Sequence, residues 1–394
     1  MAGVLTRTMT TPEPNTGTES GPAPLRLASA ADAVRAAAST AADRLEQAGR
    51  PASTTRSYAS AQRRYESWCS AADLVAVPAD EDTVRLYLAA LADDGRASST
   101  LGVHRAAIAR LHADTGHPDP TRGPRVTAIL SGNRREAAGE GRGPNRAPAA
   151  TLPKLQAMVA ATAADTSTWR KQIAARRDLV ILTLGYADAM RRAELARLHI
   201  NDLTLITDSD ASEPLLQMRL RGTKTRQEEI TYTAVPRGAR DARTCPWCAL
   251  HRWLALCADY DTADNETIAK VALRARLRRE ADDDLSVHRC DRPWPARGRS
   301  SKPLLRRLTH GGLPRPQPLS GFSISQIIAG RGLDARLNVP VRGHSLRSGL
   351  ATQMFDMGAT ADQVMAVTRH ATVESVRRYD RNQSRRAAEQ DTGL

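Results

Sequence analysis

Four short segments carry side chains suited to chemistry on a phosphate diester. In chain order they are Ala189–Leu195, the turn 221–226, Gly343–Gly349 and Thr368–Tyr379. A phosphodiester is already an anion and gains negative charge as it is attacked, so cationic donors stabilise its transition state. Arginine is always protonated and offers a planar fork of donors. Arg191 and Arg347 are therefore predicted to clamp the two non-bridging oxygens of a phosphate.

Tyr379 is the candidate nucleophile among these residues. An ordinary phenol has a pKa of about 10 and attacks poorly at neutral pH. It needs a cationic pocket or a base, and the arginine pair with His344 could provide either. Phenoxide is also a fair leaving group, which suits a covalent intermediate that must later be reversed.

Each segment alone has an ordinary explanation, because paired arginines in a helix are commonly solvated and a lysine in a hairpin turn favours solubility. Their order and spacing, however, resemble the tyrosine recombinase, or phage integrase, family. That family has a Gly-Leu-Arg-x-x-Glu-Leu helix, a hairpin lysine, a His-x-Leu-Arg box, a Gly-His pair and, nine residues later, the nucleophilic tyrosine. This chain supplies, in the same order, Arg191, Lys224, His344, Arg347, His370 and Tyr379.

The resemblance implies a 3′-phosphotyrosyl intermediate with a free 5′ hydroxyl, and no metal or nucleotide cofactor. It makes Lys224 the general acid for the departing 5′ oxygen. Glu194 is predicted to support the site by orienting a neighbouring basic side chain. Two positions depart from the family pattern, since Ala189 and Arg369 stand where the family has glycine.

The charge of the chain indicates a polyanionic partner. The net charge is +14, and residues 147–394 hold 39 basic and 27 acidic side chains. Duplex DNA is the expected partner, bound mainly through its phosphates, although an arginine-rich coding bias would give a similar composition. The residues predicted to bind DNA are Arg192, Arg226, Arg306, Arg307 and Arg369. The resemblance adds specific recombination sites, a homo-tetramer on synapsed DNA and a directionality factor as partners.

The periodicity of apolar residues predicts an α+β chain. A disordered tail and an Ala-rich helix cover residues 1–49, and helices at three- to four-residue spacing cover 50–138. The resemblance identifies this region as a SAM-like core-binding domain. After a Gly- and Pro-rich linker, 139–149, the catalytic domain, 150–386, is predicted to be mainly helical with a small antiparallel sheet and a hairpin around Lys224. Residues 387–394 form a C-terminal tail.

Two other segments contain residues that are typical of metal sites. Cys245 and Cys248, with His251, look like part of a zinc site, whose fourth ligand would be Cys257, Cys290 or a distant histidine. The preferred interpretation is a helix start with thiols packed as small apolar groups, so no metal is predicted. The acidic run 282–284 could belong to a metal nuclease, but the preferred interpretation is a solvated turn.

The function predicted is that of a site-specific recombinase or integrase that integrates or excises a mobile element. A type IB topoisomerase would use the same residues without exchanging partners, and a DNA-binding regulator would never cut. Five cysteines form no disulfide framework, and no long apolar run occurs. A cytoplasmic protein with no membrane partner is therefore expected.

Overall fold

The computed structural model describes residues 30–49, 52–141, 147–206, 214–222, 230–235, 237–238, 241–280, 287–295 and 300–380. The chain divides into two compact units, residues 1–145 and 146–394. The division falls inside 139–149, while the domain limits themselves stay a prediction. The predicted N-terminal tail, the tip of the Lys224 hairpin and the C-terminal tail lie outside the described residues.

The described residues of the first unit form five α-helices: α1 (Ala30–Ala48), α2 (Ala52–Ala71), α3 (Glu81–Asp93), α4 (Ser98–Asp114) and α5 (Pro124–Gly139). Asp80 caps α3, since its Oδ1 accepts the backbone N–H of Thr83 at 2.7 Å. Pro124 opens α5, where the missing N–H costs nothing. The described part of this unit contains no strand.

The core of the first unit lies among α2, α3, α4 and α5. Tyr65, Tyr87 and Leu88 are almost fully buried there. The Tyr87 hydroxyl is hydrogen-bonded to Nδ1 of His104 at 2.8 Å, which satisfies two buried polar groups together.

The second unit contains nine helices within the described residues: α6 (Leu152–Ala163), α7 (Trp169–Ala187), α8 (Arg192–Arg197), α9 (Pro246–Asp261), α10 (Glu266–Arg279), α11 (Gly321–Asp334), α12 (Ser345–Asp356), α13 (Ala361–Thr368) and α14 (Val373–Arg377). Helix α7 is central, because its residues 177–186 are all buried. Gly349 lets α12 lie against residue 150, since a Cβ there would lie 1.9 Å from the Ala150 carbonyl oxygen.

The predicted small sheet is present as three antiparallel strands in the order β1 (Leu203–Ile206), β2 (Leu215–Arg221) and β3 (Ile230–Val235). Leu216 pairs with Val235 and Leu205 with Leu216, so alternate residues enter the core. A second hairpin, β4 (Arg306–Leu308) with β5 (Pro314–Pro318), was not predicted. Its three prolines fit only the edge of a sheet and obscured the strand pattern.

The fold is therefore mainly helical with small antiparallel sheets, as the sequence predicted. Among the described residues, no helix is both long and apolar enough to cross a membrane.

Candidate active site

The turn after α7 places Arg191 at the start of α8. Ala189 has a left-handed backbone with φ of +46°, where glycine is normally favoured. The Glu194 carboxylate accepts the Arg191 backbone N–H at 2.9 Å and its Nη1 at 2.7 Å. Burial acts to raise the pKa of Glu194, but the hydrogen bonds from Arg191 and the charges of Arg369 and Arg191 hold that pKa below its ordinary value. Glu194 thus orients Arg191.

Arg347 is the deepest cation of the site. It lies in the first turn of α12 and is fully buried. Its Nη1 donates to the Ala189 carbonyl oxygen at 2.8 Å, whereas Nε and Nη2 have no hydrogen-bond partner among the described residues. Burial, and then the charge of Arg191, lowers the pKa of Arg347 to about 10. Buried donors without partners are costly, so this guanidinium is suited to an incoming anion.

Tyr379 lies two residues after α14, beside both histidines of the motif. Its hydroxyl is 2.8 Å from Nε2 of His344, the residue that precedes α12. Its ring centroid is 5.4 Å from that of His370 and 6.3 Å from that of His344. The Tyr379 carbonyl oxygen accepts the hydroxyl of Thr352 at 3.4 Å, which ties the segment to α12. A phenol and an imidazole are thus in hydrogen-bond contact.

His370 follows the end of α13 and is half-buried. Its Nδ1 is 2.6 Å from Oγ1 of Thr368, and that hydroxyl also lies 2.6 Å from the Val364 carbonyl oxygen. A hydroxyl has one proton, so if Thr368 donates to Val364, His370 donates through Nδ1. Burial, together with the charges of Arg347 and Arg191, lowers the pKa of His370 to about 3.

Arg369 was predicted to bind DNA, and in the structure its guanidinium is occupied by other groups of the same chain. Its backbone is left-handed, with φ of +55°, and it closes the C-terminus of α13. Its Nη1 donates to Oδ1 of Asp188 at 3.0 Å, and its Nη2 to the Asp188 carbonyl oxygen at 3.0 Å and to Glu194 at 3.4 Å. The guanidinium is committed to two buried carboxylates. It links the Arg191 turn to the His370 turn.

Replacing Arg369 with glycine is expected to destabilise the protein more at high pH than at low pH. Burial raises the pKa of Asp188 to about 6 against the opposing charge of Arg369. Because this folded-state pKa lies above its ordinary value, the associated stability is present at low pH and is lost as pH rises through about 6. Removing Arg369 raises the pKa of Asp188 further and extends the loss toward neutral pH. The expected cost at about pH 8 is about 1–3 kcal/mol, beyond any relief of backbone strain.

Urea denaturation of the wild type and Arg369→Gly at about pH 5 and about pH 8 measures this difference. Adding Asp188→Asn to Arg369→Gly should restore most of the stability at the higher pH. Equal losses at both pH values would exclude Asp188 as the partner that matters.

The remaining predicted DNA-binding residues have different environments. Arg192 and Arg307 are exposed, on α8 and β4 respectively. Arg306 is a correction: its side chain is 1% exposed and its two Nη atoms each donate to Asp261 at 2.7 Å. A guanidinium held in a buried bidentate pair is not available to DNA. Lys224 and Arg226 lie outside the described residues, so their predicted roles stay predictions.

Two residues of this site were missed by sequence reasoning. Asp188 is buried against Arg369, and Thr368 orients His370. Neither has a sequence signal, since an acid at a helix end and a threonine before a loop are ordinary. His251, considered above with a CxxC pair, lies with Nε2 3.1 Å from the Pro293 carbonyl oxygen. The structure groups His288 with those cysteines instead.

No family model matches the chain. A relative in Selenomonas ruminantium, an integrase/recombinase XerD homolog, is 27% identical over 333 residues, which is 83% of this chain and 80% of the relative. The chain is thus similar in sequence to an integrase/recombinase over most of its length. Five of the six motif residues converge in the structure.

Solved structures of tyrosine recombinases also align with the chain. XerH bound to its difH substrate before cleavage is 14% identical with a TM-score of 0.46, covering 84% of this chain and 78% of that one. The Tn1549 transposon integrase in complex with transposon right end DNA is 12% identical with a TM-score of 0.44, covering 88% and 96%. A lambda integrase dimer bound to a core site is 14% identical with a TM-score of 0.41, covering 87% and 95%.

Proposed function

We propose that this chain is a tyrosine recombinase that breaks one DNA strand with Tyr379 and holds the attacked phosphate between Arg191 and Arg347. The observation that carries the proposal is the 2.8 Å contact between the Tyr379 hydroxyl and His344, next to a buried Arg347 that has two nitrogen donors without a partner among the described residues. A phenol beside a neutral imidazole can pass on its proton as it attacks. The unpartnered donors match an anion that gains charge during attack.

The reaction exchanges one ester for another. The Tyr379 oxygen bonds to phosphorus, the 5′ oxygen of the next nucleotide departs, and Lys224 donates the proton that this oxygen needs. The 3′-phosphotyrosyl bond keeps the energy of the broken bond. A 5′ hydroxyl from a second duplex then attacks the phosphorus, and Tyr379 leaves. The DNA chemistry therefore balances without a nucleotide or a catalytic metal.

The partner is duplex DNA carrying specific recombination sites, and two such sites are brought together by a homo-tetramer. The solved relatives named above include complexes with recombination-site DNA. A net charge of +14 favours phosphate binding in this chain as well. The biological outcome is integration or excision of a mobile element, with a directionality factor selecting between them.

The test is covalent capture. Randomly nicked fragments of the genome that encodes this chain are incubated with the protein, because a nick near the cleavage point lets the 5′ end diffuse away and traps the adduct. Denaturation-resistant complexes are recovered, their DNA is sequenced and the modified peptide is identified by mass spectrometry. A phosphotyrosyl peptide at Tyr379 and a recurrent DNA site are expected. If no adduct forms, or if it maps to another residue, the proposal is wrong.

The recovered sites also separate the alternatives. A type IB topoisomerase would relax supercoiled DNA without joining two recovered sites, whereas a recombinase exchanges strands between them. A non-cleaving regulator would bind DNA and give no adduct.

Arg306 and Arg307 make a matched pair for the DNA interface, since they are adjacent but face opposite sides of β4. Arg306→Ala is expected to lower the free energy of unfolding by about 3 kcal/mol, because Asp261 loses its bidentate partner. Arg307→Ala should leave stability unchanged. If Arg307 contacts a phosphate in the wild type, its removal should make the slope of log binding constant against log salt concentration shallower by about one unit.

Urea denaturation and binding titrations over a range of salt concentrations check both variants. An unchanged slope for Arg307→Ala would remove it from the interface, and unchanged stability for Arg306→Ala would contradict its structural role.

A further inference from the structure

A group of sulfur and nitrogen atoms that the recombination chemistry does not use lies at the start of α9. Cys245 and Cys248 lie at the N-terminal end of that helix, and His288 and Cys290 lie in the segment 287–295 that follows α10. The three Sγ atoms and the imidazole nitrogen all lie within 4.8 Å of one another. The cysteines are buried and form no disulfide.

The distances from His288 to two cysteine sulfurs match the separations between ligands that share one metal ion. Its Nδ1 is 3.4 Å from Sγ of Cys248 and 3.5 Å from Sγ of Cys290. Tetrahedral zinc, with bonds of about 2.3 Å to sulfur and about 2.0 Å to nitrogen, places these ligand types about 3.5 Å apart. An imidazole nitrogen has one lone pair or one proton in the ring plane, so hydrogen bonding satisfies only one of the two contacts.

We propose that Cys245, Cys248, His288 and Cys290 bind one zinc ion with a structural role. Three thiolates and one imidazole are a donor set that selects zinc over magnesium or calcium. Four protein ligands complete the tetrahedron and leave no open position, as in structural rather than catalytic zinc sites. The DNA chemistry proposed above therefore stays independent of this ion.

The surroundings suit a site with net negative charge. The backbone N–H of Arg289 donates to Cys248 Sγ at 3.4 Å, and Arg237 Nε donates to Cys290 Sγ at 3.2 Å. Such N–H···S contacts are the outer shell that orients zinc-bound thiolates. Arg252, on α9, is 3% exposed, and its Nε and Nη2 have no hydrogen-bond partner in the described part of the chain. Three thiolates around a divalent cation supply the negative charge that this buried cation needs.

The ion would fasten a poorly supported segment to the rest of the unit. Residues 287–295 contain neither helix nor strand. The segment is joined to residue 237, just beyond β3, by the ion pair of Arg237 with Asp291. Trp247 Nε1 on α9 donates to the Val235 carbonyl oxygen at 3.0 Å. The zinc site therefore anchors the base of the hairpin formed by β2 and β3.

The test measures metal in the full-length protein. We expect about one zinc ion per chain by elemental analysis. Replacing zinc with cobalt should give the intense visible d–d bands and sulfur-to-metal charge transfer of a tetrahedral thiolate site. Cys248→Ala should lose the metal, and the matched control is Cys257→Ala, a buried cysteine on the same helix, which should keep it. His288→Cys offers four thiolates and should also keep zinc, whereas His251→Gln should leave the cobalt spectrum unchanged.

Each other outcome overturns the proposal. Zinc-supplemented wild type with no bound metal and no charge-transfer band would exclude the site, as would a native Cys245–Cys248 disulfide found by thiol labelling. Equal metal loss in Cys248→Ala and Cys257→Ala would place the ion elsewhere. Because chelation of the wild type needs no variant, a melting temperature unchanged by a strong zinc chelator that removes the metal would disprove the structural role.

Discussion

Tyr379→Phe is expected to form no covalent adduct with DNA that the wild type captures. Phenylalanine keeps the ring beside His370 and His344 but removes the oxygen that bonds to phosphorus. The loss is therefore complete rather than partial. Gel analysis under denaturing conditions measures it directly.

The matched control is Tyr232→Phe, because Tyr232 is 58% exposed on β3. This variant should form the adduct at the wild-type rate. Tyr379→Phe should still bind the captured DNA and should melt within a few degrees of the wild type, since a single half-buried hydroxyl contributes about 1 kcal/mol. An adduct formed by Tyr379→Phe would show that another residue is the nucleophile.

Arg347→Met is expected to abolish cleavage and, at the same time, to stabilise the DNA-free protein. Methionine fills a similar apolar volume but offers no donor to the phosphate. Each lost transition-state donor lowers such rates by on the order of 10²–10³. The wild-type guanidinium is fully buried, and its Nε and Nη2 have no partner in the described part of the chain, so its removal eliminates a desolvation cost. A gain of about 1–2 kcal/mol in the free energy of unfolding is expected, less what the Ala189 hydrogen bond supplied.

Arg347→Lys is the companion variant, since it keeps the charge and loses the planar fork. Single-turnover adduct formation at saturating DNA separates a slower chemical step from weaker binding. Cleavage by Arg347→Lys within about threefold of the wild type would mean that the fork geometry is unimportant. If Arg347→Met is both inactive and less stable, Arg347 has a structural role. It is then not an anion-binding residue whose burial destabilises the DNA-free protein.

The sequence was most informative about the motif residues, because residue types and their order along the chain are enough to select them. Arg191, His344, Arg347, His370 and Tyr379 were selected from spacing and resemblance, and the structure brings them together. The helices that carry them were predicted because apolar periodicity is a local property of the chain. Glu194 was expected to orient a basic neighbour, because a separation of three residues places both side chains on one helical turn, and its carboxylate is paired with Arg191 in the structure.

The sequence did not indicate which of two neighbouring arginines is buried and which is exposed. Arg306 and Arg307 are neighbours in a run of arginines, and both were predicted to bind DNA. A strand sends successive side chains to opposite faces, so one is buried against Asp261 and the other is exposed. The strand itself was hidden by its proline-rich partner, so no periodicity marked the two faces.

What the sequence alone determined was therefore the chemistry available to the chain: a tyrosine, two histidines and two arginines in family order, on helices that local patterning predicts. Tertiary structure alone decided the partnerships. Arg347 meets Ala189 across 158 residues, Arg369 meets Asp188 across 181, and His288 meets Cys248 across 40. Such pairs leave no local signature, because the free energy of burying a charge or a thiol depends on which distant group shares its pocket.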